Sequence, residues 1–133
     1  MQVIQETLLA FGVDIGKMKV IRQICSDMGI KAVKVESEEE AAPLGLLAGA
    51  RNWMNPLLAQ NQREMKPLTE EMLVFAGFSD EMLETFLKRL RQNQAGVSLK
   101  AVLTEQNAVW NAGQLQGELK QEREAFLKAS LKR

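Results

Sequence analysis

Leu99-Lys100-Ala101-Val102-Leu103 is a short apolar run that ends abruptly in Thr104, Glu105, Gln106 and Asn107: a hydroxyl, an acid and two amides. Polar groups gathered at the carboxyl end of a buried strand are where an open α/β sheet places its ligands. Two other apolar runs end in similar chemistry. Gly12 and Asp14 follow Thr7 to Phe11, and Gly77 and Ser79 follow Met72 to Ala76. Asp14 and Ser79 are each placed to cap a helix, and free amides at a helix start can hold a small anion, although Asp14 and Asp80 would oppose one. Gly12, Asp14, Gly77, Ser79, Thr104 and Asn107 are therefore the candidate ligand-binding residues, and no catalytic set emerges.

The chemistry open to them is narrow. The chain has no histidine and no tyrosine, which removes the usual general base at neutral pH and the commonest metal ligand. Catalysis would have to rest on carboxylates, Lys, Ser, Thr or backbone amides, so the composition leans away from an enzyme. The turn Gly12-Val13-Asp14-Ile15-Gly16-Lys17 has too few glycines, wrongly spaced, for a dinucleotide fingerprint, and lacks the residues of a phosphate-binding P-loop. A phospho-acceptor domain would need an acid where Gly77 stands. No cofactor and no metal is expected. Cys25, the single cysteine, sits among Ile21, Ile24 and Met28 and reads as a buried structural thiol.

Positioning those residues requires a core, and 133 residues suffice for a single domain spanning 1–133. Seventeen basic and seventeen acidic residues give a formal net charge of zero, so no overall field draws the chain to nucleic acid. No apolar run approaches the roughly 20 residues needed to cross a bilayer, and Met1 to Glu6 does not read as a signal peptide. No membrane association and a cytoplasmic location are the expectations.

The runs Thr7 to Phe11 (extended back to Val3), Ile30 to Val35, Met72 to Ala76 and Leu99 to Leu103 read as strands. Between them, a helix from Asp14 to Met28 has Met18, Ile21, Ile24, Cys25 and Met28 on one face, with Gly29 as its stop. A second helix is expected over about Glu39 to Asn52, with Leu44, Leu47 and Ala48 inward. A third opens at Ser79 with Asp80 and Glu81 and closes with Lys88, Arg89 and Arg91, the order the helix dipole favours. Trp110, Asn111, Gln114 and Leu115 have the spacing of a capping box with a hydrophobic staple, opening a last helix over about Ala112 to Ala129.

Strict alternation of strand and helix marks an α/β fold. Right-handed crossovers favour a four-stranded, mainly parallel sheet of order 2-1-3-4 with helices on both faces; a mixed sheet of α+β type, with one strand reversed around the long irregular connection at 53–67, is the alternative. In the parallel form, the carboxyl ends of the first and third strands would open a switch-point crevice lined by Gly12, Asp14, Gly77 and Ser79, with Thr104 and Asn107 at its flank.

The runs M-L-V-F-A-G-F at Met72 to Phe78, L-K-A-V-L-T at Leu99 to Thr104, Leu44 to Gly49 and Trp110 together resemble a small, uncharacterised bacterial family, a domain of unknown function. That resemblance implies the fold and transfers no activity. The function expected from the residues is a non-enzymatic regulatory or protein-interaction module, with Trp53 and Leu57 in the connection as candidate partner-binding residues, since long loops in compact domains often carry function. The alternative is a small-ligand or nucleotide-like binding domain using the strand ends. Nucleic acid is not an expected partner, and the sequence gives no oligomeric state.

Overall fold

The computed structural model describes residues 2–3, 5–51 and 67–131. Its elements run β1 (Gln2–Val3), β2 (Thr7–Phe11), α1 (Ile15–Met28), β3 (Lys31–Val35), a 3-10 turn (Ser37–Glu39), α2 (Leu44–Leu47), β4 (Ala50–Arg51), β5 (Met72–Ala76), α3 (Asp80–Gln92), β6 (Leu99–Val102), a second 3-10 turn (Asn107–Val109) and α4 (Ala112–Leu131). The main sheet has the order β3-β2-β5-β6, the 2-1-3-4 arrangement, while β1 and β4 form a separate antiparallel pair. Val3 therefore belongs to a different ladder from Thr7, and the first strand does not extend back to it.

The fold is α/β, but the sheet is mixed. β2 pairs β3 in parallel and β5 pairs β6 in parallel, whereas β2 and β5 run antiparallel, with Thr7 opposite Ala76 and Phe11 opposite Met72. The mainly parallel arrangement is thus corrected to the mixed alternative, and the reason lies between β3 and β5. A parallel return needs an element long enough to carry the chain back along the sheet. A helix over Glu39 to Asn52 would do so. Instead, Pro43 sits in an extended conformation at the amino end of α2, and Gly49, at φ +70°, follows its last turn. What remains is the four-residue helix Leu44–Leu47, about 6 Å long against roughly 17 Å for a five-residue strand. β5 begins opposite Phe11, at the end of the sheet where β3 finishes, and runs in the opposite sense.

Side-chain alternation then sorts two cores. Leu8, Ala10, Leu73 and Phe75 face α1 and α3, packing with Ile21, Cys25, Phe86 and Leu90. Phe75, Phe78 and Phe86 meet edge-on in this layer, with ring centres 5.2 to 5.9 Å apart. Such edge-to-face contacts favour one ring arrangement beyond the area they bury. Leu9, Phe11, Met72, Val74 and Ala76 face the other way, against Leu44, Ala48, Ala112 and Leu115. Every residue of β2 and of β5 is buried, as strands covered on both faces must be. β3 and β6 are the edges, and the exposed Lys31 and Lys34 mark β3 as one that resists further pairing.

The caps follow local chemistry. The Asp14 carboxylate accepts from the amides of Gly16 and Lys17, and Gly29 closes α1 at φ +71°. Ser79 accepts from the Met82 amide, and Asn111 from that of Gln114. These are the capping roles their spacing predicted.

Candidate functional site

Because β5 is reversed, the expected crevice does not form. Gly12 and Asp14 lie where β2 ends and β5 begins, while Gly77 and Ser79 lie beyond the far end of the same ladder, beside the end of β6 and Thr104. The six candidate residues fall into two groups on opposite ends of the sheet.

At the first end, Gly12 leaves β2 at φ +64°, a conformation that favours glycine and turns the chain toward α1. The acid Glu71, just before β5, is bound at the start of that helix. Its carboxylate accepts from the Asp14 amide at 3.0 Å and from Lys17 Nζ at 2.6 Å, and Lys17 also donates to the Gly96 carbonyl at 3.0 Å. The positive end of α1 is thus satisfied by an anion from the chain itself. Next to it, Arg123 grips Glu70 through two parallel bonds of 2.9 and 2.7 Å, a geometry that suits guanidinium to carboxylate. That fork holds the Glu70 carboxyl below the usual carboxylate range. The buried Gln116 reads the backbone on either side, accepting from the Thr69 amide at 2.8 Å and donating to the Glu70 carbonyl at 2.9 Å, and Lys120 donates to Thr69 Oγ1 at 2.7 Å. α4 is therefore clamped to the strand entry Thr69–Glu71. A cleft of about 440 Å³ opens here between Gly12, Glu40 and residues Pro67–Glu71, and partial burial pushes the Glu40 carboxyl up.

At the second end, Gly77 turns the chain out of β5 at φ +79° and Ser79 caps α3. Thr104 and Asn107 close on each other. The Thr104 amide donates to Asn107 Oδ1 at 2.8 Å, the Asn107 amide donates to Thr104 Oγ1 at 3.1 Å, and Asn107 Nδ2 donates to the Val102 carbonyl at 3.0 Å. Asn107 is 8% exposed, so its amide is used by the fold. This reciprocal turn ends β6 and launches the 3-10 segment leading to α4.

The partner candidates Trp53 and Leu57 lie outside the described residues. Among the described residues, no group of three or more His, Cys, Asp or Glu side chains could hold a metal ion. No helix there is long and apolar enough to cross a membrane. Cys25 is buried, and desolvation, only partly offset by Arg22, pushes its thiol up to about 12. Such a thiol is a packing group and a poor nucleophile.

Two features were missed in the sequence. The network of Lys17, Glu70, Glu71, Gln116 and Arg123 draws on three separate stretches, and only the adjacency of Glu70 and Glu71 to a strong strand hinted at it. The other is the exposed apolar pair Phe126 and Leu127 on the outer half of α4. Residues 121–130 are all exposed, including Phe126 at 72% and Leu127 at 53%. Leu115, Leu119 and Phe126 recur at spacings of four and seven, the period of one helix face, with the charged Glu122 between the last two.

No curated protein and no solved structure matched the chain. Residues 71–126, which run from the entry of β5 through α3 and β6 and along most of α4, match the family model of a domain of unknown function, DUF3783.

Proposed function

We propose that the chain is a non-enzymatic protein-interaction module whose partner surface is the outer half of α4, built on Phe126 and Leu127. The carrying observation is that Phe126, on the helix face that packs Leu115 and Leu119 against the sheet, and its neighbour Leu127 stand exposed on the turns beyond it. Exposed apolar side chains set among charged ones on a projecting helix, here Glu122, Arg123, Glu124 and Lys128, suit entry into the groove of another protein. The polar candidates elsewhere support the same reading. Asp14, Ser79, Thr104, Asn107, Glu70 and Glu71 all have structural partners within the chain.

Phe126→Ser combined with Leu127→Ser tests this reading. The expected outcome is loss of a co-purifying partner from the protein's own cells at an unchanged melting temperature. Retention of the partner by the double variant contradicts the reading.

Small-ligand binding has one observation in its favour, the cleft of about 440 Å³ beside Gly12. Its acids Glu70 and Glu71 are already ion-paired with Arg123 and Lys17, so a ligand there would compete with bonds the fold uses. A ligand panel that raises the melting temperature of the wild type, with the rise lost in Glu40→Gln, would favour this reading over the helix surface.

A further inference from the structure

The first and second halves of the chain repeat one another. Gly12 and Gly77, the N-caps Asp14 and Ser79, and the left-handed residues Gly29 and Gln94 are each separated by the same number of positions. The bonds closing the two helices obey that spacing as well: the Ile30 amide donates to the Cys25 carbonyl at 2.8 Å and the Ala95 amide to the Leu90 carbonyl at 2.9 Å. Each half then forms a parallel strand beside its first, a 3-10 turn and a helix, α2 or α4, on the opposite face. α2 and α4 start equally far from the residues that pair with Thr7 and Met72, namely Lys31 and Leu99.

The halves meet as a twofold axis requires. In the β2·β5 ladder the first residue of one strand faces the last of the other, and the central residues Leu9 and Val74 face each other. On the α2/α4 side the first residue of each helix likewise donates to the other unit, the Leu44 amide to the Trp110 carbonyl at 2.9 Å and the Ala112 amide to the Glu40 carbonyl at 3.4 Å, acceptors two and four residues ahead of the helix starts. A surface related to its partner by a twofold is self-complementary.

We infer that the β-α-β-turn-α unit is a self-pairing module, that this chain is a tethered pair of such units, and that the second unit's surface around β5 and the start of α4 fits a second copy of the same unit. The part matched by the family model, 71–126, is one such unit almost from end to end. In the intact chain the first unit occupies this surface. When it is withdrawn, the second unit of another chain takes its place, with Val74 facing Val74 of the partner and Leu73 facing Phe75. Both faces of that strand pair stay apolar, as they are in the native ladder. The inference is independent of the partner surface proposed on α4, because Phe126 and Leu127 take no part in it.

Leu9→Asp in the full chain tests it, since Leu9 is fully buried at the centre of the ladder and its charged replacement expels the first unit. Sedimentation velocity and native mass spectrometry should show the mass doubling relative to the unsubstituted chain, with part of the folded circular-dichroism signal kept. Adding Val74→Asp should abolish the doubling. Leu9→Asp that keeps the unsubstituted mass, whether folded or unfolded, overturns the inference, and so does a doubled or larger species that Val74→Asp leaves intact.

Discussion

Asn107 shows how a residue chosen for its chemistry turns out to be spent on the fold. Its side chain satisfies the Thr104 amide and the Val102 carbonyl, and both would be left without their partner in Asn107→Ala. Val102 and Thr104 are exposed, so water replaces part of this bonding, and at about 0.5 to 1.5 kcal/mol for a typical hydrogen bond urea denaturation should find the variant less stable by that order. An unchanged midpoint would show that the turn does not depend on these bonds. Cys25 gives a second prediction at this scale. Its thiol is raised in the folded chain from about 9 to about 12, so the folded state holds the proton more tightly than the unfolded state does. The associated stability is present in full below about pH 9 and is lost as pH rises from there through 12. Cys25→Ala should flatten that part of the stability curve, and the native thiol should resist disulfide reagents until the protein unfolds. Prompt labelling of folded protein would contradict this assignment. Thr104, Asn107, Asp14 and Ser79 were all legible as polar groups at strand and helix ends. Whether they face a ligand or one another depends on turn geometry that residue type does not specify.

Among the elements, the helices were the most legible. Their apolar spacing and end residues agree, and α1, α3 and α4 begin where Asp14, Ser79 and Asn111 predicted. α2 was not legible, because its acidic lead-in and the leucines beyond it suggest a long helix, while Pro43 and Gly49 cut it to one turn. Gln94 is the described non-glycine residue with positive φ, at 55°, closing α3 where Gly29 closes α1. The left-handed conformation costs a side-chain-bearing residue roughly 1 kcal/mol or more, so Gln94→Gly should raise stability by about 0.5 to 1 kcal/mol in thermal or urea unfolding. A loss of stability would mean that the glutamine side chain makes up for its backbone strain. For the outer half of α4, Phe126→Ser and Leu127→Ser should change stability by less than about 0.5 kcal/mol, because surface side chains away from structural features seldom matter more. A larger loss would show that the pair is covered within the chain.

At the scale of the whole molecule, strand order was readable and strand direction was not. The order favoured by right-handed crossovers is the one formed, and the most apolar runs, Leu8 to Phe11 and Leu73 to Ala76, fill the two central strands. Direction depended on the connection between β3 and β5, where a one-turn helix replaced the long one expected. The reversal also separated Gly12 and Asp14 from Gly77 and Ser79, so the imagined crevice became two ends of one sheet. The internal repeat escaped notice because it lives in backbone conformation: Gly29 and Gln94 share a left-handed turn without sharing a residue type. The fork between Arg123 and Glu70 ties α4 to the strand entry and lowers the Glu70 carboxyl, so its contribution to stability is present above the ordinary carboxylate range and lost as pH falls below it. Arg123→Gln should therefore narrow the difference in melting temperature between pH 7 and pH 3, and an unaltered difference would deny the fork any role in acid stability.

The most direct measurement is native mass spectrometry of the protein drawn gently from its own cells, alongside the Phe126→Ser, Leu127→Ser chain prepared in the same way. A protein companion bound to the wild type and missing from the variant is the predicted result. A companion that stays bound to the variant, or a wild type that carries none, would contradict the assignment of the outer half of α4 as the partner surface.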